Sequence, residues 1–286
     1  MSWTSVLIVI ATIVIAPLVG GFLFGLDRKV TARLQNRVGP PIEQPFYDVI
    51  KLFSKSRVVA NKAQLVYVYV YLASVILSLV LLTLGQDLLV LLFVLALGSV
   101  SLILGGFSVR SPYSQLGSQR EVLQLLAYEP LLMLMVVGVY LRTGSFLASG
   151  VLALGQPLLL SLPLLLVGLV IAMAIKLRKS PFDISTSHHA HQELVKGILT
   201  EYSGPYLGLI ELTHWYELML LLGLVALFWA PNLLIGGLLG LACFFIVTLV
   251  DNVAARMTWS WMLRFAWTFG VGLAVVNIAA LYLFAV

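Results

Sequence analysis

Residues 88–107, LLVLLFVLALGSVSLILGGF, form a twenty-residue run without one charged side chain. At about 1.5 Å of helix rise per residue, such a run crosses the roughly 30 Å hydrocarbon core of a bilayer. Short alternating segments, which are typical of membrane barrels, are absent from the sequence. We therefore predict an all-α integral membrane protein with about eight transmembrane helices. The other seven predicted spans are 4–26, 64–84, 122–141, 155–177, 207–229, 232–250 and 264–285.

The composition supports the same class. Of the 286 residues, 61% are hydrophobic and only 10% are charged, and the mean hydropathy is +1.05, which leaves too little polar surface for a water-soluble globule. We find no repeat of fixed period and no low-complexity linker, so we expect residues 1–286 to form one membrane domain. The single cysteine, Cys243, cannot form an internal disulfide or supply the ligands of an iron–sulfur cluster. We expect this chain to hold no cofactor, and any redox metal to lie on another chain.

The basic residues predict the orientation. They cluster in alternate loops, and the opposite loops contain only Arg142. By the positive-inside rule, the basic loops are cytoplasmic and both termini lie outside. This topology explains the sequence pI of about 9.3 without a nucleic-acid partner. The loops expected in the cytoplasm are approximately 27–63, 108–121, 178–206 and 251–263.

The first of these loops contains PFYDVIKLF, residues 45–53, with apolar side chains at helical spacing beside Asp48 and Lys51. This pattern predicts an amphipathic helix that lies in the membrane surface. The helix would anchor the loop, form a docking or substrate-access surface, or do both.

Ionisable residues within the predicted spans are candidates for function, because each costs about 2.5–3.5 kcal/mol on insertion scales. Glu129 lies eight residues beyond Glu121 in the fourth span, or about 12 Å deeper along a helix. Pro130 follows it and removes a helix hydrogen bond, which frees the carbonyl of Leu126 for water or a polar neighbour.

The sixth span carries Glu211, His214 and Glu217 at intervals of three, which makes them neighbours on one helix surface. Such a series passes a proton when one or two waters bridge its members. The simpler alternative is that these groups only hydrogen-bond helices together, with Glu211 near enough to the surface to be solvated. The insertion cost favours a proton or cation pathway for Glu129, His214 and Glu217.

The stretch PFDISTSHHAHQELVKGILTEYSG, residues 181–204, is unusually polar for this chain. Three histidines suggest a metal site, but no cysteine accompanies them and adjacent histidines on a helix diverge by about 100°. Histidines that hydrogen-bond or titrate at a subunit interface are the alternative that we favour. Glu193 and Glu201 are either ordinary loop charges or groups that load the sixth-span series. The three histidines are His188, His189 and His191.

Three ordered segments resemble the complex I subunit 1 family, also called NuoH. They are QNRVGPPIEQPFYDVIKLFSK (35–55), SPYSQLGSQREVLQLLAYE (111–129), and PFD followed by ELVKG and EYSG (181–204). Two features depart from the quinone-reducing branch. The run after PFD carries histidines, and a glutamate expected shortly after EYSG is replaced by His214. This version resembles the small membrane subunit of energy-converting nickel–iron hydrogenases of the Ech and Mbh type.

The resemblance implies a non-catalytic coupling subunit of a ferredoxin-linked hydrogenase in the inner (plasma) membrane of a prokaryote. It implies a nickel–iron centre and iron–sulfur clusters on partner chains. Those partners would be the hydrogenase large and small subunits, an iron–sulfur subunit and antiporter-like membrane subunits. The implied proton pathway comprises Glu129, Asp183, Glu193, Glu201, Glu211, His214 and Glu217. The implied interface with the redox arm comprises Arg37, Asp48, Lys51, Arg120, His188, His189 and His191.

Two alternatives remain at this stage. The same loops would frame a lipophilic or sulfur substrate in a quinone- or sulfur-reducing relative of complex I. A free-standing ion-coupled transporter is the alternative from another class, but it predicts paired repeats with interrupted helices, and the sequence shows no such symmetry.

Overall fold

The computed structural model describes residues 3–186 and 196–283, which fold into a bundle of helices. Seven of the described helices, some continued by a 3-10 or π segment, are long and apolar enough to cross a membrane. The prediction of an all-α integral membrane protein is confirmed. The α-helices are α1 (Trp3–Leu34), α2 (Gln44–Phe53), α3 (Lys62–Thr83), α4 (Leu88–Phe107), α5 (Pro112–Thr143), α6 (Ala148–Ala153), α7 (Leu158–Ser161), α8 (Pro163–Lys176), α9 (Gly204–Ala226), α10 (Leu233–Val253), α11 (Trp259–Phe265) and α12 (Val271–Leu283).

The fifth predicted span, 155–177, differs from the other seven. It contains the single turn α7 and the 14-residue helix α8 instead of one long helix. Pro163 occupies the start of α8, where its missing N–H leaves no hydrogen bond unmade. Leu162, between the two helices, has non-helical backbone angles. The apolar pattern therefore continues through a break that hydropathy alone does not reveal.

Side-chain caps set the start of two helices that follow tight turns. The Asp87 carboxylate accepts hydrogen bonds from the backbone N–H groups of Leu89 and Val90 at the start of α4. The Asn232 side chain does the same at the start of α10. Each cap satisfies N–H groups that have no partner within the helix, so the chain turns sharply and re-enters the bundle at a defined residue.

The predicted amphipathic helix is α2, which packs on the ends of α1 and α9. Pro45 and Val49 are buried on its inner side, and Phe46 packs edge-on against Trp215 at 5.1 Å between ring centroids. Ile50 remains 65% exposed on its other side. An apolar residue facing outward at this place is what a helix lying in a membrane surface requires.

Helix α3 packs on α4 and α9, α5 packs on α4 and α8, and α1 packs on α9. Close approach of α1 to α9 depends on Gly20, because a Cβ there would lie 2.6 Å from the backbone oxygen of Trp215. The outer faces of α1, α10 and α12 expose large aliphatic side chains, as lipid-facing helices do. Polar side chains are instead gathered where α3, α4, α5, α8 and α9 meet.

Candidate functional site

Arg178 lies at the centre of the buried polar region, directly after the end of α8. Its guanidinium grips the Glu121 carboxylate of α5 with two hydrogen bonds, Nε to Oε2 at 3.0 Å and Nη2 to Oε1 at 2.6 Å. The side chains of Arg178 and Glu121 are 9% and 7% exposed. Bidentate pairing of this kind fixes both groups and compensates their removal from water.

The same guanidinium contacts His214 of α9, with 2.9 Å between Nη1 and Nε2. Because arginine has only donors, Nε2 must accept this bond and the ring proton must lie on Nδ1. Nδ1 in turn faces Glu211, 4.0 Å from its Oε2. The side chain of Glu211 is 38% exposed, so this chain of contacts runs from a solvent-accessible carboxylate to the buried Glu121.

Lys176 and Glu217 form the second half of the network. The Lys176 ammonium lies 3.0 Å from Oε1 of Glu217, and the two side chains are 4% and 2% exposed. It also donates to the hydroxyl oxygens of Ser99 at 2.8 Å and Tyr128 at 3.2 Å. Tyr71, fully buried, packs its ring edge-on to His214 and so fills the space beside both halves. We call these residues, Arg178, Glu121, His214, Glu211, Lys176 and Glu217, the charged network.

The charged network has an imbalance of charge. Its three carboxylates face two permanent cations, so with a neutral His214 the sum is two minus three, or minus one. A proton on His214 would neutralise that charge, but a protonated Nε2 no longer accepts from Arg178. Proton uptake and the position of Arg178 are thereby coupled. The arrangement is chemically suited to moving a proton together with a rearrangement of ion pairs.

Glu129, the other predicted mid-membrane acid, lies apart from these contacts. It faces a small cavity beside Leu92 and Leu95 of α4, and it makes no hydrogen bond or ion pair within the described residues. Lys176 is the cation whose field reaches it. Glu129 is therefore linked to the charged network only through the electric field of Lys176, without a direct contact. We predict from the sequence that Glu129 and Glu217 reach similar depths, because the fourth and sixth spans are expected to enter the membrane from the same side.

The expected consequence of Pro130 is confirmed. The carbonyl of Leu126, which the proline leaves without a helix donor, accepts a hydrogen bond from the indole nitrogen of Trp267 at 3.2 Å. Trp267 lies in the π-helical segment Ala266–Gly270 between α11 and α12. The polar neighbour expected from the sequence is thus a side chain of the last membrane helix.

Asp183 and Glu201 lie in the loops around the charged network. Asp183 forms an ion pair with Arg256, at 3.0 Å between Oδ2 and Nη2. Its loop is held on α5 because the Gln124 amide donates to the Phe182 carbonyl. Glu201 is half-buried beside a narrow cavity, and its place in a pathway stays a prediction. Glu193, His188, His189 and His191 lie outside the described residues.

The residues predicted to face a redox arm occupy two surfaces. Arg37 and Lys51 are exposed, whereas Asp48 pairs with Arg28 at 2.6 Å and accepts from Gln44. Burial opposes ionisation of Asp48, but these hydrogen bonds outweigh it and lower the pKa of its carboxyl. Arg120, on α5, donates to the carbonyl of Ile184 at 3.3 Å. Their role in docking stays a prediction.

Sequence reasoning missed the basic half of the charged network. It assigned Lys176 and Arg178 to the positive-inside pattern, yet both side chains are buried. It also missed a second cluster, in which Lys179 bridges Asp27 and Asp251 while Thr248 donates to Asp27 at 2.6 Å. Their position in the sequence could have indicated this. Lys176, Arg178 and Lys179 end or directly follow an apolar run, where side chains can turn back into the bundle.

No group of three or more histidine, cysteine, aspartate or glutamate side chains in residues 3–186 and 196–283 is arranged to hold a metal ion. Cys243 is buried in α10 without another thiol in the chain. The assignment of redox metals to partner chains stays a prediction.

These features define a multi-pass helical membrane protein with an internal network of ion pairs. The sequence pattern of the NADH dehydrogenase family matches residues 6–282, and the chain belongs to that family. A membrane-complex relative, one of the NADH-quinone oxidoreductase subunits of Syntrophobacter fumaroxidans, is 30% identical over 97% of this chain and 96% of that protein. Hydrogenase-4 component C of Escherichia coli (strain K12) is 33% identical, over 72% of this chain and 69% of that protein.

One solved structure is similar to this chain over nearly its whole length. One chain of the membrane-bound sulfane sulfur reductase, an archaeal respiratory membrane complex, matches with a TM-score of 0.87 at 25% identity. The match covers 96% of this chain and 98% of that chain. The chain is thus a membrane subunit of the complex I-like or hydrogenase type, as its family resemblance implies.

Proposed function

We propose that this chain is the membrane-anchoring and ion-translocation coupling subunit of a ferredoxin-linked, membrane-bound hydrogenase complex. The observation that carries the coupling role is the buried, unbalanced charged network, in which proton uptake and ion pairing are linked. The hydrogenase assignment is supported by the histidine-bearing run after PFD and by the similarity to hydrogenase-4 component C. Its partners are the hydrogenase subunits, an iron–sulfur subunit and antiporter-like membrane subunits, with the basic loops in the cytoplasm and both termini outside.

In the proposed mechanism, electron transfer in the partner subunits changes the charge beneath the redox arm. The loop that carries Asp183 responds, together with Glu193 and Glu201. His214 then takes up a proton through Glu211, and Arg178 gives up its bond to Nε2. The resulting shift in the field is felt at Glu217 and Lys176, and through Lys176 at Glu129, from which the change passes on to the antiporter-like subunits.

A quinone- or sulfur-reducing complex is the second candidate. It is supported by the similarity to a chain of the sulfane sulfur reductase complex over nearly the whole length. The charged network would work in the same way there, and only the partner that performs the redox chemistry would differ. A free-standing transporter is the weakest candidate, because the relatives are named as subunits or components.

The first test is to purify the complex that contains this chain in mild detergent, identify its subunits, and assay nickel and ferredoxin-dependent hydrogen evolution. Nickel together with hydrogen evolution supports the hydrogenase assignment. A multi-subunit complex without nickel transfers the proposal to the quinone or sulfur branch. A chain purified without partners contradicts the coupling role.

The second test uses the same complex in sealed vesicles and compares Glu217→Gln with Glu43→Gln. Glu43 is an exposed carboxylate without a side-chain capping bond, which makes it a matched control. We expect Glu217→Gln to abolish ion uptake while electron transfer persists, and the control to retain both. Unchanged ion uptake per electron in Glu217→Gln would refute the proposed role of the charged network in ion translocation.

A further inference from the structure

A cavity of about 250 Å³ lies between the cytoplasmic end of α1, the amphipathic helix α2 and the start of α9. Six of its lining residues are charged, and the others are apolar or proline. Its position beside a surface helix places it at the level of lipid headgroups. The charged lining residues are Arg28, Lys51, Lys55, Lys196, Asp48 and Glu211.

The charges of this cavity do not cancel. Four cations and two carboxylates sum to plus two. Arg28 forms an ion pair with Asp48, and Glu211 faces His214. The ammonium groups of Lys51, Lys55 and Lys196 form no ion pair or hydrogen bond within the part of the chain that the structure describes. Three unpaired lysines around one concave space attract a compact anion with several acceptor oxygens.

The apolar part of the lining indicates what is attached to that anion. Leu52 and Leu207 approach from α2 and α9, and Trp215 closes the inner side. At about 250 Å³ the cavity is smaller than the roughly 300–1,000 Å³ of typical small-molecule sites. It therefore suits a headgroup-sized ligand with an apolar continuation more than a whole lipophilic cofactor.

We propose that this cavity binds a phosphate group, supplied by an anionic phospholipid of the cytoplasmic leaflet. A soluble phosphate compound offers the same chemistry and is distinguished below by experiment. This site goes beyond the proposed function: its lining charges are the same whether the partner reduces protons, sulfur or a quinone, and Glu211 is the one residue that it shares with the charged network. Its effect on the chain is to fix α2 against α1 and α9 at the membrane surface.

The test uses the complex containing this chain in nanodiscs of phosphatidylcholine alone or of phosphatidylcholine and phosphatidylglycerol in equal parts. Phosphatidylglycerol that stays bound after detergent extraction is counted by native mass spectrometry. The test variant is Lys55→Gln with Lys196→Gln. The matched control is Arg57→Gln with Lys62→Gln, which removes two exposed charges of the same loop region that do not line the cavity.

We expect one retained phosphatidylglycerol in the unmodified chain and in the control. Each cavity lysine is expected to raise the affinity for the anionic lipid by roughly fivefold, so loss of two lysines in the test variant should weaken retention by about 25-fold. In a second arm, inorganic phosphate is added to the phosphatidylcholine nanodiscs and the helix α2 region is followed by proteolysis. Protection by phosphate alone, without retained phosphatidylglycerol, assigns the site to a soluble phosphate compound.

Equal retention in the test variant and the control would overturn the proposal, as would the absence of both lipid retention and phosphate protection. Correct folding of the variants is checked by their assembly with the partner subunits. Ion uptake is measured on the same samples. If the test variant loses the lipid but keeps ion uptake, the result supports the lipid site and says nothing about the charged network. We expect Glu217→Gln to lose ion uptake while it retains the lipid.

Discussion

Replacing Lys176 by methionine removes the positive charge from the most deeply buried ion pair of the charged network. The Glu217 side chain is 2% exposed, and Lys176 is its ion-pair partner at 3.0 Å. Loss of one member of a buried pair costs about 3–5 kcal/mol, because the remaining charge has neither water nor a counter-ion. Ser99 and Tyr128 also lose a donor. We expect Lys176→Met to destabilise the chain by about 3–5 kcal/mol.

The double variant Lys176→Met with Glu217→Gln distinguishes this cause from simple loss of packing. Because the neutral amide needs no cation, the double variant should recover about 2 kcal/mol or more relative to Lys176→Met. The free energy of unfolding is measured by denaturant titration in one detergent at one pH. The cost of Lys176→Met should also shrink on acidification, since a protonated Glu217 needs no counter-charge. A double variant as unstable as the sum of the two single variants would refute the reasoning.

Two further predictions concern the fold. Gly25→Ala should destabilise the fold by about 1–3 kcal/mol, because the added Cβ would overlap the backbone oxygen of Ile42. Gly237→Ala should be neutral or stabilising, because the space around Gly237 is open. Thermal unfolding of both variants checks this prediction, and equal effects would contradict it. Asp48 has a lowered pKa, so its stabilisation is present above the unfolded value of about 3.9 and is lost as pH falls through the folded value. Since Asp48 is 41% exposed, Asp48→Asn should cost less than about 1 kcal/mol near neutral pH and nothing in strong acid, as unfolding titrations at both pH values would show.

The fold followed from the sequence because hydrocarbon imposes a simple rule. Runs of about twenty apolar residues must be helical there, and no soluble alternative competes. The one weak point was residues 155–177, where α7 and α8 replace a single helix. Hydropathy measures transfer from water and carries no information on whether the backbone is continuous. Pro163 was the available sign of that break, since proline favours the first turn of a new helix.

The acids of the site were predictable and the bases were not. Glu211, His214 and Glu217 stood out because they interrupt an apolar span at regular spacing. Lys176 and Arg178 follow an apolar run at a place where the positive-inside rule already accounts for basic residues. A rule that explains a residue by topology says nothing about the direction of its side chain. Long basic side chains at a helix end can reach outward to water or inward to carboxylates, and only packing decides between them.

One short loop after α8 takes part in several of the ion pairs outside α2. Arg178 holds Glu121 and His214, the next residue Lys179 holds Asp27 and Asp251, and Asp183 holds Arg256. These contacts attach one segment to α1, α5, α9 and α10 and to the loop before α11. A displacement of this segment therefore changes the partners of several buried charges at once. In the proposed function, a redox event outside the membrane acts on the buried charges through such a displacement. A proton on His214 acts in reverse, because it removes one of the bonds that hold the segment in place. Coupling in both directions then passes through the residues that already fix the loop, with Glu211 as the entry for the proton.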